Sequence, residues 1–323
     1  MKARGVVFTA PEKVEVWDVE VPDPGPKDVL IRVLYSGVSI GTEGWILKNG
    51  YKGVTYPLVT GYQHCGIAEK VGAEVQGIAE GDLVYCGHSR LASDIRPMWA
   101  GHLSYSVQDA AQVIKVPPKV LPEEAALGVM PGVPWHGIQL TGINPGDLVV
   151  VIGLGLVGQF AVQLAQTKGA TVIASEVLEK RRALARECGA EIVLDPRTDD
   201  VEARVKAIKP EGADVIIDTS ANADAVNASF EWIRRDGRYC FQGYYSGLTP
   251  LDLYLPHVKQ ITFYNPTSYE GIPTMFSYIE QGLLKVKPLI THYFEGEDAP
   301  QAYDLMLRSP QETVGIVLRW HRD

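Results

Sequence analysis

The residues that most clearly point to chemistry form a glycine-rich turn near the middle of the chain. The turn follows an apolar run and reads Gly153-Leu154-Gly155-Leu156-Val157-Gly158. In a strand–turn–helix unit, the first glycine of such a G-x-G-x-x-G pattern permits the tight turn, and the second lets the backbone approach a pyrophosphate. The third lets the helix pack closely on the strand, and the helix N-terminus offers free N–H groups to phosphates. The pattern predicts a dinucleotide-binding loop; the alternative is a glycine-rich turn that binds no ligand.

A carboxylate follows the loop at the spacing that a dinucleotide site requires. Glu176 ends the next predicted strand, about 20 residues further on, where an acidic side chain accepts hydrogen bonds from the adenosine ribose. A carboxylate there repels a 2′-phosphate, so Glu176 favours NAD over NADP. Arg181 is a further candidate contact for the cofactor. The positive charges of Lys180, Arg181 and Arg182 weaken the preference for NAD over NADP. The alternative for Glu176 is a solvated loop carboxylate.

The elements that position these residues alternate in type from Asp147 onward. Predicted strands are 148–152, 170–174, 192–194, 214–218 and 238–241, and predicted helices are 159–168, 179–187 and 201–207. Such alternation predicts a parallel sheet with helices on both faces. Thr219, Gly243 and Tyr244 lie at or after the carboxyl ends of strands, where a cofactor lies in open α/β sheets. Before about residue 120 the pattern is strand-like and indicates a small antiparallel barrel.

Composition excludes several classes of protein. The chain has 323 residues, of which 46% are hydrophobic and 21% charged, which fits two folded domains and rules out general disorder. A net charge of -9 without a basic stripe argues against nucleic-acid binding. No apolar run approaches the ~20 residues of a membrane span, so we expect a cytoplasmic protein with no membrane partner. Four scattered cysteines argue against a disulfide scaffold and a four-cysteine zinc loop: Cys65, Cys86, Cys188 and Cys240.

Further motifs occur in a fixed order over nearly the whole chain. They are Gly41-Thr42-Glu43, Gly61-Tyr62-Gln63-His64-Cys65-Gly66, Gly81-Asp82-Leu83-Val84, Gly101-His102-Leu103-Ser104-Tyr105, Pro145-Gly146-Asp147 and Val314-Gly315-Ile316-Val317-Leu318. In this order they resemble the medium-chain dehydrogenase/reductase superfamily in its alcohol-dehydrogenase-like form. The resemblance implies an α/β fold, in which a GroES-like β-barrel catalytic domain carries an inserted Rossmann domain, a doubly wound parallel sheet that binds NAD. The expected division is 1–120 and 287–323 for the catalytic domain and 121–286 for the NAD-binding domain.

Two branches of the superfamily share short segments with this chain. Residues 36–43 and the segment Gly243-Tyr244-Tyr245-Ser246 are similar to the bacteriochlorophyllide hydroxyethyl dehydrogenases, and residues 214–220 are similar to sugar dehydrogenases. Both branches act on alcohols or ketones, so this similarity leaves the substrate open.

The chain departs from the family pattern at its zinc ligands. Zinc-dependent members carry a cysteine before a G-T-D-like loop, where this chain has Ser39-Ile40, and they carry G-H-E where it has Gly61-Tyr62-Gln63. The four-cysteine structural zinc lobe is also missing. Because the replacing groups bind zinc poorly, we expect no zinc at either site. The alternative is an atypical metal site, whose candidate ligands are Glu43, His64, Cys65, Cys86 and His88.

The resemblance then assigns the proton chemistry to side chains. Tyr62 occupies the position of a zinc-binding histidine, which makes its phenol a candidate general acid/base. Thr42 matches the family's hydroxyl that contacts the substrate alcohol and begins a proton relay. Trp45 replaces the relay histidine, so the relay is incomplete or rerouted through His64. The alternatives are a Tyr62 that fills the space of the zinc and a Thr42 that satisfies its own turn.

Aromatic residues and a predicted edge strand bear on the partners. Trp45, Tyr56 and Trp135, together with Trp99, are candidates for stacking on a flat or ring-shaped substrate; ordinary core packing is the alternative. Residues 259–264 look like the sixth, edge strand of the sheet, which in the family pairs across a two-fold axis. We therefore expect a homo-oligomer, a dimer or a tetramer, that acts on a small molecule.

Together these features predict an NAD(H)-dependent, zinc-independent oxidoreductase. It would interconvert a secondary alcohol and a ketone by hydride transfer, with a hydroxyl side chain as proton donor or acceptor. One alternative is an NADPH-dependent quinone or enone reductase, against which Glu176 weighs. Another is a nucleotide-binding protein that has lost catalysis, against which Thr42 and the complete glycine loop weigh.

Overall fold

The chain forms two compact units in its computed structural model, which describes residues 1–245 and 247–322. Ser246 of the Gly243–Ser246 segment lies outside the described residues. The first unit contains Met1–Val129, Phe276–Glu280 and the chain from Ile290 onward, and the inserted unit contains Met130–Met275 and Gln281–Leu289. The first boundary therefore follows Val129, whereas the expected boundary follows residue 120.

The strands are numbered in chain order. They are β1 (Lys2–Ala10), β2 (Lys13–Glu20), β3 (Asp28–Val38), β4 (Leu58–Val59), β5 (His64–Val71), β6 (Leu83–Cys86), β7 (Arg96–Pro97), β8 (Tyr105–Asp109), β9 (Val113–Lys115), β10 (Leu148–Ile152), β11 (Thr171–Ser175), β12 (Ile192–Leu194), β13 (Ala213–Asp218), β14 (Ile233–Phe241), β15 (Thr262–Tyr264), β16 (Ile290–Glu295) and β17 (Gly315–Arg319).

The helices are numbered in the same way. They are α1 (Ile40–Leu47), α2 (Pro122–Ala125), α3 (Val129–Thr141), α4 (Leu156–Thr167), α5 (Glu179–Glu187), α6 (Val201–Ile208), α7 (Ala223–Ser229), α8 (Tyr254–Lys259), α9 (Ile272–Glu280) and α10 (Ala299–Arg308), with short 3₁₀ helices at Ala110–Gln112, Lys287–Leu289, Gly296–Asp298 and Pro310–Glu312. Of the helices in the described chain, none is long and apolar enough to cross a membrane.

Six parallel strands form the sheet of the inserted unit, in the order β12-β11-β10-β13-β14-β15. Every residue of the central strands β10 and β13 is buried, as expected for strands covered by helices on both faces. The predicted parallel sheet is confirmed. The strand order reverses between β10 and β13, and ligands of doubly wound sheets bind outside the carboxyl ends of the strands at such a switch point.

Two element boundaries in this unit differ from the predicted ones for local reasons. The expected edge strand 259–264 is a strand only from Thr262, because Lys259 ends α8 and Gln260 has the left-handed backbone (φ 54°) that stops a helix. Helix α4 begins at Leu156, earlier than predicted, because Gly155 of the glycine loop is its N-cap.

Two sheets build the first unit. One has the order β2-β1-β4-β7, and the other has the order β16-β17-β3-β5-β6-β9, with β8 also paired to β3. A buried cluster that includes Phe8, Leu58 and Tyr303 joins strand β1 to helix α10 of the closing segment. Helix α2 packs on β3 and β5, which is why residues 121–129 belong to this unit.

Candidate active site

Two hydroxyl groups meet in the first unit at positions where the family pattern has zinc ligands. Ser39 directly precedes α1, Tyr62 lies between β4 and β5, and the Tyr62 hydroxyl donates a hydrogen bond to Ser39 Oγ. Ser39 is the N-cap of α1, where a serine side chain usually accepts a hydrogen bond from the first turn of the helix. The side chain of Ser39 makes no such capping hydrogen bond. The serine hydroxyl is therefore used by the tyrosine and not by the helix.

Aromatic rings surround the tyrosine of this hydroxyl pair. The ring of Trp99 meets that of Tyr62 edge-on, with centroids 5.3 Å apart, and the ring of Tyr51 lies 6.4 Å from Trp99. Trp99 and Ala100 both have left-handed backbone (φ 68° and 57°), which is unfavourable for residues other than glycine. Such strain persists only where packing enforces it, and it clusters at functional sites.

A buried carboxylate lies next to the hydroxyl pair. Glu43 is fully buried on α1, and one of its oxygens accepts the backbone N–H of Ser39 at 3.0 Å. The other oxygen accepts the hydroxyl of Tyr303 and lies 3.0 Å from Nε2 of His102. Burial, followed by the charge of Glu43, raises the pKa of Tyr303 well above its ordinary value, so this phenol stays protonated.

The other predicted residues near α1 have varied surroundings. Thr42 and Trp45 are half-buried on α1, on either side of the buried pair Glu43 and Gly44. The hydroxyl of Tyr56 donates to the backbone oxygen of Ile46 at 2.7 Å, and its ring packs on the apolar cluster of Phe8. These contacts fit core packing for Tyr56, while the roles assigned to Thr42 and Trp45 stay predictions.

His64 is the first residue of β5 and is fully buried. Burial, with smaller contributions from His102 and His88, lowers the pKa of His64 to about 3, so its imidazole is neutral near pH 7. Among the described residues, neither ring nitrogen of His64 finds a hydrogen-bond partner. A relay through His64 therefore stays a prediction that no hydrogen bond in the described chain supports.

The residues considered for an atypical metal site are engaged in other ways. Glu43 already accepts three donors, and the thiol of Cys86 donates to the backbone oxygen of His88 at 3.2 Å. Burial raises the pKa of Cys86 to about 11, which keeps it a thiol and not the thiolate that binds metals. Over residues 1–245 and 247–322, no group of three or more His, Cys, Asp or Glu side chains is arranged to hold a metal ion.

The glycine loop of the inserted unit connects β10 to α4 at the switch point of the sheet. A Cβ on Gly158 would lie 1.9 Å from the backbone oxygen of Gly153, so only glycine fits where the helix meets the strand. A Cβ on Gly155 would have no described atom within 4 Å, so the space in front of this backbone is open. Leu156 and Val157 begin α4, and their N–H groups belong to the first turn, where a phosphate binds.

Glu176 directly follows β11 and lies beside the same loop. Its carboxylate accepts the backbone N–H of Leu154 at 2.7 Å and that of Leu178 at 2.9 Å. Arg181 Nη1 lies 3.9 Å from the carboxylate, which balances part of its charge. Glu176 is 5% exposed and is thus not the solvated loop carboxylate of the alternative interpretation.

Three more cofactor candidates follow strands β13 and β14. The Thr219 hydroxyl donates to the backbone oxygen of Gly153 at 2.7 Å, which ties the end of β13 to the glycine loop. The N–H of Gly243 donates to the backbone oxygen of Asp218 at 2.8 Å. Tyr244 next to it is 56% exposed. The structure brings Thr219 to the loop, and the cofactor roles of all three stay predictions.

Trp135, the remaining substrate candidate, lies on α3 of the inserted unit. It is 8% exposed, and the ammonium group of Lys168 lies 4.3 Å from the centre of its ring. This cation–π contact fits the packing alternative for Trp135, and its substrate role stays a prediction.

Sequence reasoning missed the partners of the hydroxyl pair. The sequence patterns indicate Glu43 only as a metal ligand and Ser39 only as a replaced cysteine, although an acidic residue in the first turn of α1 is a helix-start signal. No local signal could reveal His102, because it meets Glu43 and Ser36 across 59 and 66 residues of sequence.

Known proteins share this sequence and fold. Residues 25–118 match the family model of the alcohol dehydrogenase GroES-like domain, and residues 157–281 match that of zinc-binding dehydrogenases. The chain is 29% identical to the L-threonine 3-dehydrogenase of Pyrococcus furiosus, in an alignment that covers 98% of this chain and 99% of the relative. It is 25% identical to an uncharacterized zinc-type alcohol dehydrogenase-like protein of Escherichia coli, over 99% of both chains. A crystal structure of an Escherichia coli oxidoreductase/dehydrogenase of unknown specificity is similar, with a TM-score of 0.86, 22% identity and 99% coverage of both chains.

The two matched domains and the full-length relatives settle the family. The chain belongs to the medium-chain dehydrogenase/reductase superfamily. The predicted fold class, a GroES-like domain with an inserted parallel-sheet nucleotide-binding domain, is confirmed.

Proposed function

We propose that this protein is an NAD(H)-dependent oxidoreductase that interconverts a secondary alcohol and a ketone without zinc. The observation that carries the proposal is the hydrogen bond between Tyr62 and Ser39. These hydroxyls replace two zinc ligands of the family and bond to each other. Full-length relatives that include an L-threonine 3-dehydrogenase support the alcohol–ketone chemistry.

The donor set does not fit a catalytic zinc ion. Ser39 and Tyr62 offer neutral hydroxyls in place of a thiolate and an imidazole, which are the ligands zinc prefers. Both oxygens of the nearby Glu43 carboxylate already have hydrogen-bond partners, which are the N–H of Ser39, Nε2 of His102 and the hydroxyl of Tyr303. A zinc ion at this position would have to displace these hydrogen bonds, and at Ser39 and Tyr62 it would find a hydroxyl and not a thiolate or an imidazole.

The inserted unit fits a nicotinamide dinucleotide. The open backbone at Gly155 and the N–H groups of Leu156 and Val157 suit the pyrophosphate. The charge of Glu176 beside the loop suits a ribose hydroxyl and disfavours a 2′-phosphate, so we propose NAD over NADP. Such a cofactor supplies the hydride acceptor or donor.

The hydroxyl pair then handles the proton of the reaction. In ketone reduction, the Tyr62 proton turns from Ser39 to the ketone oxygen, and the O–H bond of Tyr62 breaks as the O–H bond of the product alcohol forms. The Ser39 hydroxyl changes from acceptor to donor and stabilises the phenolate that remains. In alcohol oxidation, the proton returns to Tyr62. A positioned acid/base of this kind typically accelerates a reaction by about 10²–10⁴-fold.

A metal test separates this mechanism from a zinc mechanism. The purified protein is dialysed against a chelator, and NADH formation is then measured with a panel of secondary alcohols. We expect unchanged turnover and less than stoichiometric zinc by elemental analysis. One tightly held zinc per chain, with activity lost on its removal, would contradict the proposal. Faster NADPH-dependent reduction of enones or quinones would favour the alternative reductase.

The assignment of Tyr62 is tested by Tyr62→Phe, which keeps the ring and removes the proton. We expect kcat to fall by roughly 10²–10⁴-fold while the Kd for NADH, followed by fluorescence, is unchanged. Tyr293→Phe, at an exposed tyrosine of the first unit, is the matched control. A Tyr62→Phe enzyme with the turnover of the parent would remove the acid/base role.

The same proposal includes the assembly and the compartment. Strand β15 is the last strand of its sheet and pairs only with β14 in the described chain. Apolar side chains stand exposed on the preceding helix, Tyr254 at 71% and Val258 at 47%. An open strand edge, preceded in the chain by a helix with exposed apolar side chains, favours pairing with a second copy of the chain, so we propose a homodimer. A cytoplasmic location stays a prediction.

A further inference from the structure

A chain of buried polar groups in the first unit ends next to the hydroxyl pair. Trp320 Nε1 donates to Ser36 Oγ at 2.9 Å, and Ser36 Oγ lies 2.8 Å from Nδ1 of His102. On its other side His102 meets Glu43, which also accepts the hydroxyl of Tyr303. Ser36, Glu43 and His102 are fully buried. We call these five residues the Glu43 cluster.

The hydrogen bonds of the Glu43 cluster can run in one direction, from Trp320 through Ser36 and His102 to Glu43. An indole nitrogen can only donate, so Ser36 Oγ accepts from Trp320 and has its own proton available for Nδ1 of His102. With Ser36 as the donor, Nδ1 carries no proton, and a neutral imidazole has its proton on Nε2, which donates to Glu43. Every donor is thereby used, and the carboxylate accepts from His102, Tyr303 and the N–H of Ser39.

The cluster holds both members of the hydroxyl pair. The backbone N–H of Ser39 donates to a carboxylate oxygen of Glu43 at 3.0 Å, which fixes the backbone of the serine. The hydroxyl of Ser39 stays available for Tyr62. On the tyrosine side, the ring of His102 packs against Gly61, where a Cβ would lie 2.6 Å from the ring. The N–H of His102 also donates to the backbone oxygen of Thr60 at 3.1 Å.

We propose that the Glu43 cluster is the positioning device of the hydroxyl pair, with His102 locked as the neutral Nε2–H tautomer. It does for two hydroxyls what second-layer carboxylates do for metal ligands: it fixes their orientation through oriented hydrogen bonds. This inference rests on the proposed function, because positioning matters only if the Ser39–Tyr62 pair carries the proton.

The kinetic test uses Tyr303→Phe, which removes one donor from Glu43 and keeps the ring that packs edge-on against Phe8 at 5.0 Å. We expect kcat to fall by roughly 10- to 100-fold, as when partners that orient a functional group are removed, while the KM for NAD is unchanged. Tyr239→Phe is the matched control, because Tyr239 is equally buried in the inserted unit and its hydroxyl bonds Ser229 at 2.9 Å. A folded Tyr303→Phe protein with full kcat would overturn the proposal.

A double-mutant cycle separates positioning from a general loss of stability. If the cluster acts through Tyr62, Tyr303→Phe should have little further effect on kcat in a Tyr62→Phe background. If the fold-decrease in kcat of the double variant equals the product of the two single decreases, Tyr303 acts independently of Tyr62, which would contradict the proposal.

The tautomer is tested without any assay of activity. Nitrogen-15 NMR of histidine-labelled protein, with the His102 signals assigned by their loss in His102→Gln, should show the proton on Nε2 and an unprotonated, hydrogen-bonded Nδ1. A proton on Nδ1 would overturn the proposed arrangement. A protein that turns over no alcohol but shows the Nε2–H tautomer would contradict the proposed function and leave the cluster geometry standing, so the two failures are distinguishable.

Discussion

At the scale of single residues, the role of each polar side chain follows from the partner it finds. Ser39 has the right position to cap α1, but Tyr62 takes its hydroxyl, and Glu43 takes its N–H. Glu43 would be costly as an isolated buried charge, and its three donors offset that cost. His64, only two residues after Tyr62, is buried and neutral.

Glu176 offers a test of cofactor choice at a single residue. In Glu176→Gln the single amide oxygen can serve only one of the two backbone N–H groups, of Leu154 and Leu178, that the carboxylate accepts, and the negative charge beside the loop is lost. We expect NADH to bind more weakly and NADPH more tightly, so that the ratio of their Kd values shifts by roughly tenfold toward NADPH. Fluorescence titration with both cofactors measures the shift. An unchanged ratio would show that Glu176 does not contact the ribose.

At the scale of elements, the turn after β10 contains one glycine that leaves space for a ligand and another that the packing of the helix requires. The two glycines Gly155 and Gly158 have different surroundings, although they belong to one motif. Gly155 has an ordinary backbone (φ −65°) and open space before it, whereas Gly158 is packed directly on the strand end.

Alanine at each glycine therefore has a distinct expected effect. Gly155→Ala should leave the melting temperature unchanged and weaken NADH binding, because its methyl group occupies the space that the pyrophosphate needs. Gly158→Ala should lower both stability and binding, because its methyl group would overlap the oxygen of Gly153. Thermal melts and NADH titrations of the two variants make the comparison, and tight NADH binding by Gly155→Ala would argue against the dinucleotide site.

The strand pair β10–β13 offers a pH-dependent prediction. Asp214 on β13 accepts the N–H of Leu148 at 2.7 Å and bonds to Lys209 and Arg234. Burial alone would raise its pKa, but the bonds from Lys209 and Arg234 outweigh burial, so the pKa lies below the ordinary value. The resulting stabilisation is complete above the pKa of an unfolded aspartate and is lost as the pH falls through the lower, native value.

Asp214→Asn should accordingly be less stable by about 1–3 kcal/mol at pH 7. The difference from the parent should shrink as the pH falls below about 4, where the parent's carboxylate becomes protonated. Denaturant melts from pH 3 to pH 7 measure it, with Asp94→Asn at an exposed site as the control. A constant difference at every pH would show that the charge of Asp214 contributes nothing.

At the scale of the whole molecule, the chain is two units of different construction. The first unit is completed by the closing segment, since β17 pairs with β3 and α10 packs on α1. The inserted unit has its own parallel sheet and its own core. Strand β15 is one of the two edge strands of that sheet, and it is the edge where we expect a second copy of the chain.

Charge introduced beside β15 should disrupt that assembly. We expect the double variant Tyr254→Glu with Val258→Glu, which places like charges on the same patch of both copies, to run as a monomer in light scattering while the parent runs as a dimer. Leu140→Glu, at an exposed apolar residue on helix α3 of the inserted unit, should stay dimeric. A parent that is monomeric at micromolar concentration, or a double variant that stays dimeric, would remove this interface.

The sequence by itself determined the features that depend on neighbours along the chain. The strand 148–152, the glycine loop, the helix 179–187 and the strand 192–194 were predictable, because hydrophobic period and glycine spacing act over a few residues. The order of the motifs predicted the family and the fold class. The residues at positions 39 and 62, Ser39 and Tyr62, differ from the family's zinc ligands and led to the prediction that zinc is absent.

Only the tertiary structure decided which side chains those residues contact. Tyr62 reaches Ser39 across 23 residues, His102 reaches Glu43 across 59, and Tyr303 reaches Glu43 across 260. The boundary after Val129 likewise follows from α2 packing on β3 and β5, and not from a local break in the sequence. Hydrogen bonds between distant segments depend on how sheets and helices pack, and no spacing in the sequence records that geometry.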